Sequence, residues 1–188
     1  MKRLRLWAFI WIFFTGASTG WAQVPKGFDK TLSLQGIQFR MTSANQGSVN
    51  TLKIVASGRL SRKVTLQSEV DGTVTGAEVA DLDGNGWPEI YVYVTSSGSG
   101  SFGSVVAHAV NRGKSITPIF LPDLTDDPAA SQGYLGHDRF AVEGQKLVRR
   151  FPVYLPGDSN AAPTGGERQL HYQLVAGEAS WQLKTTAT

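Results

Sequence analysis

The sequence contains no cysteine among its 188 residues, and this absence excludes several kinds of exported protein. Without a thiol, the chain can form neither structural disulfides nor the acylated N-terminal cysteine of a lipoprotein. Its stability must therefore come from buried apolar surface. A domain of roughly 150 residues can bury enough of that surface to fold without covalent cross-links.

A membrane-spanning run is also lacking, although the N-terminus carries a short apolar segment between charged and small residues. The pattern consists of a positive region, an apolar region and small residues: Lys2, Arg3 and Arg5; Leu6–Phe14; and Gly20, Trp21 and Ala22. It predicts a signal peptide over residues 1–22, with cleavage before Gln23. An uncleaved anchor is the alternative, but a spanning helix needs roughly 20 apolar residues. We therefore expect a bacterial periplasmic protein that is not attached to the membrane.

Excess positive charge is missing from the predicted mature chain. The whole sequence has 18 Lys and Arg and 15 Asp and Glu, and three of the basic residues lie in the signal segment. Residues 23–188 thus carry 15 charges of each sign. Nucleic-acid binding needs a basic stripe, so a nucleic-acid partner is not expected.

Helical periodicity is scarce in residues 23–188, where short runs of alternating apolar and polar residues recur between turn residues. About eight or nine such strands predict a single all-β domain, an antiparallel β-sandwich. One eleven-residue run, 31–41, slips in phase at Gly36, which predicts a β-bulge there. The segment 121–135 is rich in proline and aspartate, and we expect a surface loop with one helical turn.

Several glycine-containing pairs are predicted to form hairpin turns between strands. They are Asp71-Gly72, Glu143-Gly144 and Gly177-Glu178, with a further turn at Asn111-Arg112-Gly113.

An acidic turn precedes the strongest strand signal and has part of the spacing of a calcium loop. Asp81, Asp83 and Asn85 occupy the first, third and fifth positions, and a glycine follows at the sixth. The twelfth position is Val92, where a calcium loop places a bidentate glutamate, so Glu89 at the ninth would have to substitute. The alternative is a tight turn whose Asp and Asn side chains bond to nearby backbone.

A loop made almost entirely of serine and glycine follows the predicted strand 90–95. It consists of Ser97, Gly98, Ser99, Gly100, Ser101, Phe102 and Gly103. A phosphate-binding loop would lead into a helix, whereas residues 105–110 have a strand pattern. The spacing of serine and glycine also differs from that of a nucleophile elbow. Phe102 is the single aromatic residue among these small ones, and its ring must either pack into the core or contact a partner.

The three histidines give no catalytic arrangement. His108, His137 and His171 are far apart in sequence, and neither cysteine nor a spaced carboxylate accompanies them. Only His137, followed by Asp138, could form half of an acid–base pair. Since a nucleophile with its base is missing, the protein is not expected to be an enzyme.

Two adjacent arginines stand out in a neutral domain. Strand alternation places Arg149 on the same face as Phe151, and Arg150 on the opposite face. An arginine can clamp a carboxylate of a partner, so Arg149, Arg150 and His137 are candidate partner contacts. Alternatively, an arginine pairs with the acidic segment 123–127.

Together these motifs resemble the family of periplasmic inhibitors of invertebrate-type lysozymes. The resemblance covers most of the chain from about Ala80 onward and rests on the following segments: Asp81–Tyr93, Ser97–Gly103, Gly133–Asp138, Leu147–Tyr154, Pro163–Arg168, Tyr172–Leu174 and Gly177–Trp181.

The resemblance implies a β-sandwich that inserts the loop 97–104 into the substrate cleft of a lysozyme and blocks its catalytic carboxylates. The family's Ser-Gly-x-Tyr pattern falls on Ser99, Gly100, Ser101 and Phe102, so a phenylalanine stands where the family has a tyrosine. That difference removes a hydroxyl group from the inhibitory loop. A homodimer is compatible with the resemblance, and no cofactor is implied.

A second hypothesis concerns the acidic turn. Under it, the protein is a secreted calcium-binding β-module with an adhesive or glycan-binding role, and Asp81, Asp83, Asn85 and Glu89 hold the ion.

Overall fold

The computed structural model describes residues 27–186, so the predicted signal peptide lies outside the described residues. Within this range the chain is almost entirely β. The strands are β1 (Phe28–Leu34), β2 (Ile37–Ser43), β3 (Val49–Gly58), β4 (Val64–Asp71), β5 (Thr73–Ala80), β6 (Glu89–Thr95), β7 (Gly103–Asn111), β8 (Ser115–Phe120), β9 (Arg139–Glu143), β10 (Lys146–Pro152), β11 (Glu167–Ala176) and β12 (Trp181–Thr185). The predicted all-β class is confirmed, with twelve strands in place of eight or nine.

Helical structure in the described range is confined to the segment between β8 and β9. A 3₁₀ turn, Leu124–Asp126, precedes the one-turn helix α1, Pro128–Ser131. Asp127 caps α1 through its side chain, and proline follows at the first helical position. The prediction of a surface loop with a helical turn is thus confirmed. No helix in residues 27–186 is long and apolar enough to cross a membrane.

The strands form two sheets. The first is an antiparallel meander of β1 to β4, and the second has the order β5-β6-β7-β8-β12-β11-β10-β9. All pairings are antiparallel except that of β12 with β8, where Trp181 lies opposite Ile119. Within residues 27–186 this is the one parallel pairing, and β12 runs antiparallel to its other neighbour, β11.

The predicted bulge at Gly36 is wrong, because the chain reverses direction there. Leu34 pairs with Ile37, which leaves Gln35 and Gly36 as a two-residue hairpin turn. Both have positive φ, at 50° and 78°, as a type I′ turn requires. The apparent slip in phase is therefore the turn between two strands. Because these two strands had been predicted as one, the predicted number of strands was too low.

The hairpin predicted at Asp71-Gly72 is also wrong, since β4 and β5 belong to different sheets. Gly72 has a φ of +130°, and a Cβ there would overlap the carbonyl of Thr95. The glycine is required because the chain crosses between the sheets close to the end of β6. The turns predicted after β7, β9 and β11 are confirmed as hairpins.

A first core fills the space between the four-stranded sheet and the β5–β7 part of the larger sheet. Alternate residues of β2 and β6 face this core, and they are fully buried: Ile37, Phe39 and Met41; and Ile90, Val92 and Val94. The period-2 alternation of a strand therefore sets which side chains enter it.

A second core lies on the opposite face of the larger sheet. It includes Tyr91, Leu147, Tyr172 and Leu183, which come from both halves of that sheet. Strand β6 is consequently buried on both faces, which explains its uninterrupted β-forming sequence.

The larger sheet curls until its two edge strands approach each other, as in a barrel. The backbone N–H of Val142 on β9 donates to Glu78 Oε2 on β5 across 2.8 Å, and Tyr93 donates its hydroxyl to the same oxygen. The rings of Tyr93 and Phe140 stack with centroids 6.0 Å apart. The connection between β6 and β7 leaves this curled sheet at one end, where the Ser/Gly loop lies.

Candidate functional site

The Ser/Gly loop 97–103 is the closed end of the β6–β7 hairpin. Ser96 fastens its base twice, because the Ser96 N–H donates to the Phe102 carbonyl at 2.8 Å and Ser96 Oγ accepts from the Phe102 N–H at 2.9 Å. Inside the loop, the Ser101 N–H donates to the Gly98 carbonyl at 2.9 Å. The loop therefore has a defined conformation.

Two other segments hold the loop from outside. The His137 N–H donates to the Gly100 carbonyl at 2.7 Å, and Asn160 Nδ2 donates to the Ser99 carbonyl at 2.8 Å. Gly136 has a φ of +98°, and a Cβ at this position would overlap the Gly100 carbonyl. The segment 133–138 can thus approach the loop only because position 136 is glycine.

A buried ion pair lies beneath the C-terminal end of the loop. Asp138 Oδ2 accepts from the Gly103 N–H at 2.7 Å and from the Tyr134 hydroxyl at 2.6 Å. Its other oxygen accepts from Arg149 Nε at 2.6 Å, and Arg149 also donates to the Tyr134 oxygen. The Asp138 side chain is fully buried and that of Arg149 is 6% exposed. The network is fully satisfied and connects the loop to β10.

The three candidate partner contacts occupy different places. Arg149 is buried beneath the loop, so its guanidinium supports the loop and does not reach the surface. Arg150 lies on the opposite face of β10, as the alternation predicted, where it pairs with Glu143 at 2.8 Å. His137 lies beside the loop, with Nε2 3.2 Å from Asn160 Oδ1. Neither arginine pairs with the acidic segment 123–127.

Phe102 is the exposed apolar residue of the loop. Its side chain is 48% exposed and meets the Tyr134 ring edge-on, with centroids 5.7 Å apart. Leu135, also 48% exposed, belongs to the segment that packs on Gly100. A groove of about 690 Å³ runs from Phe102 toward Phe120. The ring is thus held on one side and presented to solvent on the other.

The acidic turn before β6 brings its carboxylates together. Asp81 accepts from the N–H groups of Asn85 and Gly86, both at 2.9 Å, and Glu89 Oε2 accepts from the Leu82 N–H at 2.8 Å. Asn85, expected as a ligand, donates from Nδ2 to Asp83 at 2.7 Å. These hydrogen bonds form the tight turn that was the alternative to a calcium loop. They also hold in place the carboxylate oxygens that would coordinate calcium.

Glu89 differs from the other acidic residues of the turn because it is almost completely buried, at 1% exposure. Burial raises the pKa of Glu89 to about 8, and the charges of Asp83 and Asp81 act in the same direction. One oxygen from each of Asp81, Asp83 and Glu89 lies within 4.8 Å of the others. Within residues 27–186 this is the one acidic or histidine cluster with spacing suited to a metal ion.

A groove of about 520 Å³ next to the acidic turn was not anticipated from the sequence. Trp87 and Trp181 line it, together with Asp83 and Asn85. The Arg59 guanidinium stacks on Trp87 at 3.8 Å. The two tryptophans are 94 positions apart in the sequence, so no local signal could have paired them.

The histidines lie on different elements: His108 on β7, His137 in the segment 133–138 and His171 on β11. Nδ1 of His108 is buried without a hydrogen-bond partner in the described part of the chain, and burial lowers the pKa of this histidine.

Comparison with known proteins adds no relative, because no family model, no curated protein and no solved structure matches this chain.

Proposed function

We propose that the protein is a periplasmic inhibitor of lysozyme, with invertebrate-type lysozyme as its target, and that it inserts the loop 97–103 into the substrate cleft. The observation that supports this most directly is that several backbone N–H groups of the loop make no hydrogen bond within the described residues. The N–H groups of Gly98, Ser99 and Gly100 have no acceptor among residues 27–186, while the carbonyls of Ser99 and Gly100 are held from behind. The loop therefore presents donors and retains its shape.

Such a loop suits the chemistry of a lysozyme cleft. Lysozymes use two carboxyl groups, one protonated and one ionised, which flank the scissile bond. Exposed backbone N–H groups and the hydroxyls of Ser97 and Ser99 can donate to both carboxyl groups. Phe102 can occupy an adjacent sugar subsite by apolar contact or stacking. Because the loop is already ordered, binding costs little conformational entropy.

The proposal is tested by titrating the purified protein against invertebrate-type, chicken-type and goose-type lysozymes, with cell-wall hydrolysis as the readout. We expect inhibition of the invertebrate-type enzyme. Failure to inhibit any of the three at micromolar protein would overturn the proposal.

The role of the loop is tested with Ser99→Ala and Phe102→Ala, singly and combined. Truncating a central aromatic anchor typically costs about 2 kcal/mol of binding free energy, or roughly thirtyfold in affinity. Val49→Ala is the matched control, because Val49 is 58% exposed but lies on the four-stranded sheet. If the double variant inhibits as well as Val49→Ala does, another surface makes the contact.

The groove lined by Trp87 and Trp181 supports a second candidate function, glycan binding. Aromatic faces beside amide and carboxylate groups suit sugar rings, which offer apolar faces and hydroxyls. Titration with a panel of oligosaccharides, followed by tryptophan fluorescence, tests this function. A saturable change that Trp181→Ala abolishes would support it, and an unchanged spectrum would exclude it.

A further inference from the structure

The geometry of the acidic turn matches the coordination sphere of a single cation. Calcium binds oxygen ligands at about 2.3–2.6 Å, so ligands on opposite sides of the ion lie about 4.8 Å apart. The oxygens of Asp81, Asp83 and Glu89 fall within 4.8 Å of one another. One ion can therefore contact all three carboxylates without movement of the backbone.

The acidic groups of the turn favour a bound cation. Three carboxylates converge there, and none of them pairs with a lysine or arginine among residues 27–186. Glu89 is only 1% exposed, and a carboxyl group buried this deeply is either neutralised by a proton or paired with a cation. The turn offers an entering cation three carboxyl groups without a competing lysine or arginine in the described part of the chain.

An independent observation comes from Tyr91, which follows Glu89 on the same face of β6. Tyr91 is fully buried, and its hydroxyl makes no hydrogen bond of normal geometry within the described residues. Tyr91 belongs to the same buried cluster as Ala80 and Leu82, the residues on either side of Asp81, so it packs against the acidic turn. Buried hydroxyls almost always have a partner. A cation at the turn would bring a coordinated water or a reoriented Glu89 oxygen within its reach.

We propose that Asp81, Asp83 and Glu89 bind a calcium ion in the turn between β5 and β6. Calcium fits this site better than magnesium, because magnesium demands near-ideal octahedral geometry and retains most of its water. The ion would fix the start of β6, the strand that ends at the Ser/Gly loop. This proposal does not depend on the lysozyme proposal, since neither the ligands nor the test involves a lysozyme.

Isothermal titration of CaCl₂ into purified, chelator-treated protein tests the proposal, with thermal unfolding as a second readout. Extracellular modules bind calcium with dissociation constants of about 10⁻⁴–10⁻³ M, so the titration should extend to ~10 mM. We expect one saturable site and a higher melting temperature with calcium. Terbium provides a further probe, because the neighbouring Trp87 should sensitise its luminescence.

The informative variant is Asp83→Asn, which keeps the size of the side chain and removes one ligand charge. It should weaken calcium binding by on the order of tenfold or more. Asp126→Asn is the control, because Asp126 is exposed in the segment between β8 and β9. Absence of both heat and a melting shift in the unmodified protein would overturn the proposal. So would equal losses of affinity in Asp83→Asn and Asp126→Asn.

Discussion

The carboxylate of Asp138 lies directly beneath Gly103, whose backbone N–H donates to Asp138 Oδ2 across 2.7 Å. This bond joins the last residue of the Ser/Gly loop to a segment 35 positions further along the chain. It is possible because Gly103 has no side chain, since a Cβ there would overlap Asp138 and Phe140. The orientation of the loop therefore depends on the contents of the core beneath it.

Asp138→Asn should destabilise the fold strongly. The substitution removes the charge that compensates Arg149, whose side chain is 6% exposed. Breaking one partner of a buried ion pair typically costs about 3–5 kcal/mol. Urea denaturation of the variant and the unmodified protein measures the difference.

The control for this prediction is Asp29→Asn, which breaks the pair with Arg40 on the exposed outer face of β1 and β2. Solvent screens that pair, so its loss should leave the denaturation midpoint almost unchanged. Equal shifts in both variants would show that the buried pair has no special role.

Gly136→Ala should displace the Ser/Gly loop. The new methyl group would overlap the Gly100 carbonyl, so the bond from the His137 N–H to that carbonyl cannot persist. Faster hydrogen exchange at His137 would report the change. Gly144→Ala is matched, because Gly144 also has positive φ, 59°, but has no atom near its Cβ position. Gly144→Ala should lose only about 1–2 kcal/mol of stability, the cost of a left-handed backbone conformation, and hydrogen exchange at His137 should not change.

Glu78→Ala should open the contact between the two edges of the larger sheet. It leaves the Val142 N–H and the Tyr93 hydroxyl without their acceptor. An unsatisfied buried donor costs about 1–3 kcal/mol, and these two donors are partly buried, so stability should fall and the Val142 amide should exchange faster. Glu69→Ala, on the exposed face of β4, should change neither quantity. Unaltered hydrogen exchange at the Val142 amide in Glu78→Ala would show that Glu78 does not hold the edge strands β5 and β9 together.

His108 should make the protein less stable toward acidic pH. Burial lowers the pKa of His108 in the folded state, whereas an unfolded histidine titrates at about 6.5. As the pH falls below ~6.5, the unfolded chain takes up a proton that the folded chain does not, so the free energy of unfolding decreases. The loss continues until the pH reaches the lowered pKa of the folded state.

His108→Gln isolates this contribution, because all other titrating groups are unchanged. The difference in unfolding free energy between variant and unmodified protein, measured between about pH 7.5 and 5.5, should move in favour of the variant as the pH falls. Parallel profiles across that range would contradict the prediction.

Sequence patterns predicted the strands better than the way they pair. β-forming runs identified β6 and β7, alternation identified β10, and three of the predicted turns are hairpins in the fold. Asp71-Gly72 was misinterpreted because a turn dipeptide indicates that the chain bends and says nothing about which strands then pair. Gly36 was misinterpreted because a slip in phase is common to a bulge and a two-residue turn.

The candidate loop could be located from sequence, whereas its supports could not. Serine, glycine and one phenylalanine are unusual enough to stand out locally. Asn160 contacts Ser99 across 61 positions, and nothing near Asn160 in the sequence indicates this contact. Arg149 was predicted to contact a partner because an arginine can clamp a carboxylate, and the fold supplies that carboxylate from within, since Asp138 pairs with Arg149 in the interior.

The position of β12 has a consequence for how the fold assembles. This strand fills the gap between β8 and β11, and it is the last strand of the described residues in chain order. Its pairing with β11 is a local hairpin, whereas its pairing with β8 joins Trp181 to the distant Ile119. Pairings of long sequence separation slow folding. We therefore expect a late, rate-limiting step in which β12, already paired with β11, docks on β8, and the open edges of β8 and β12 leave the unfinished chain prone to self-association until then.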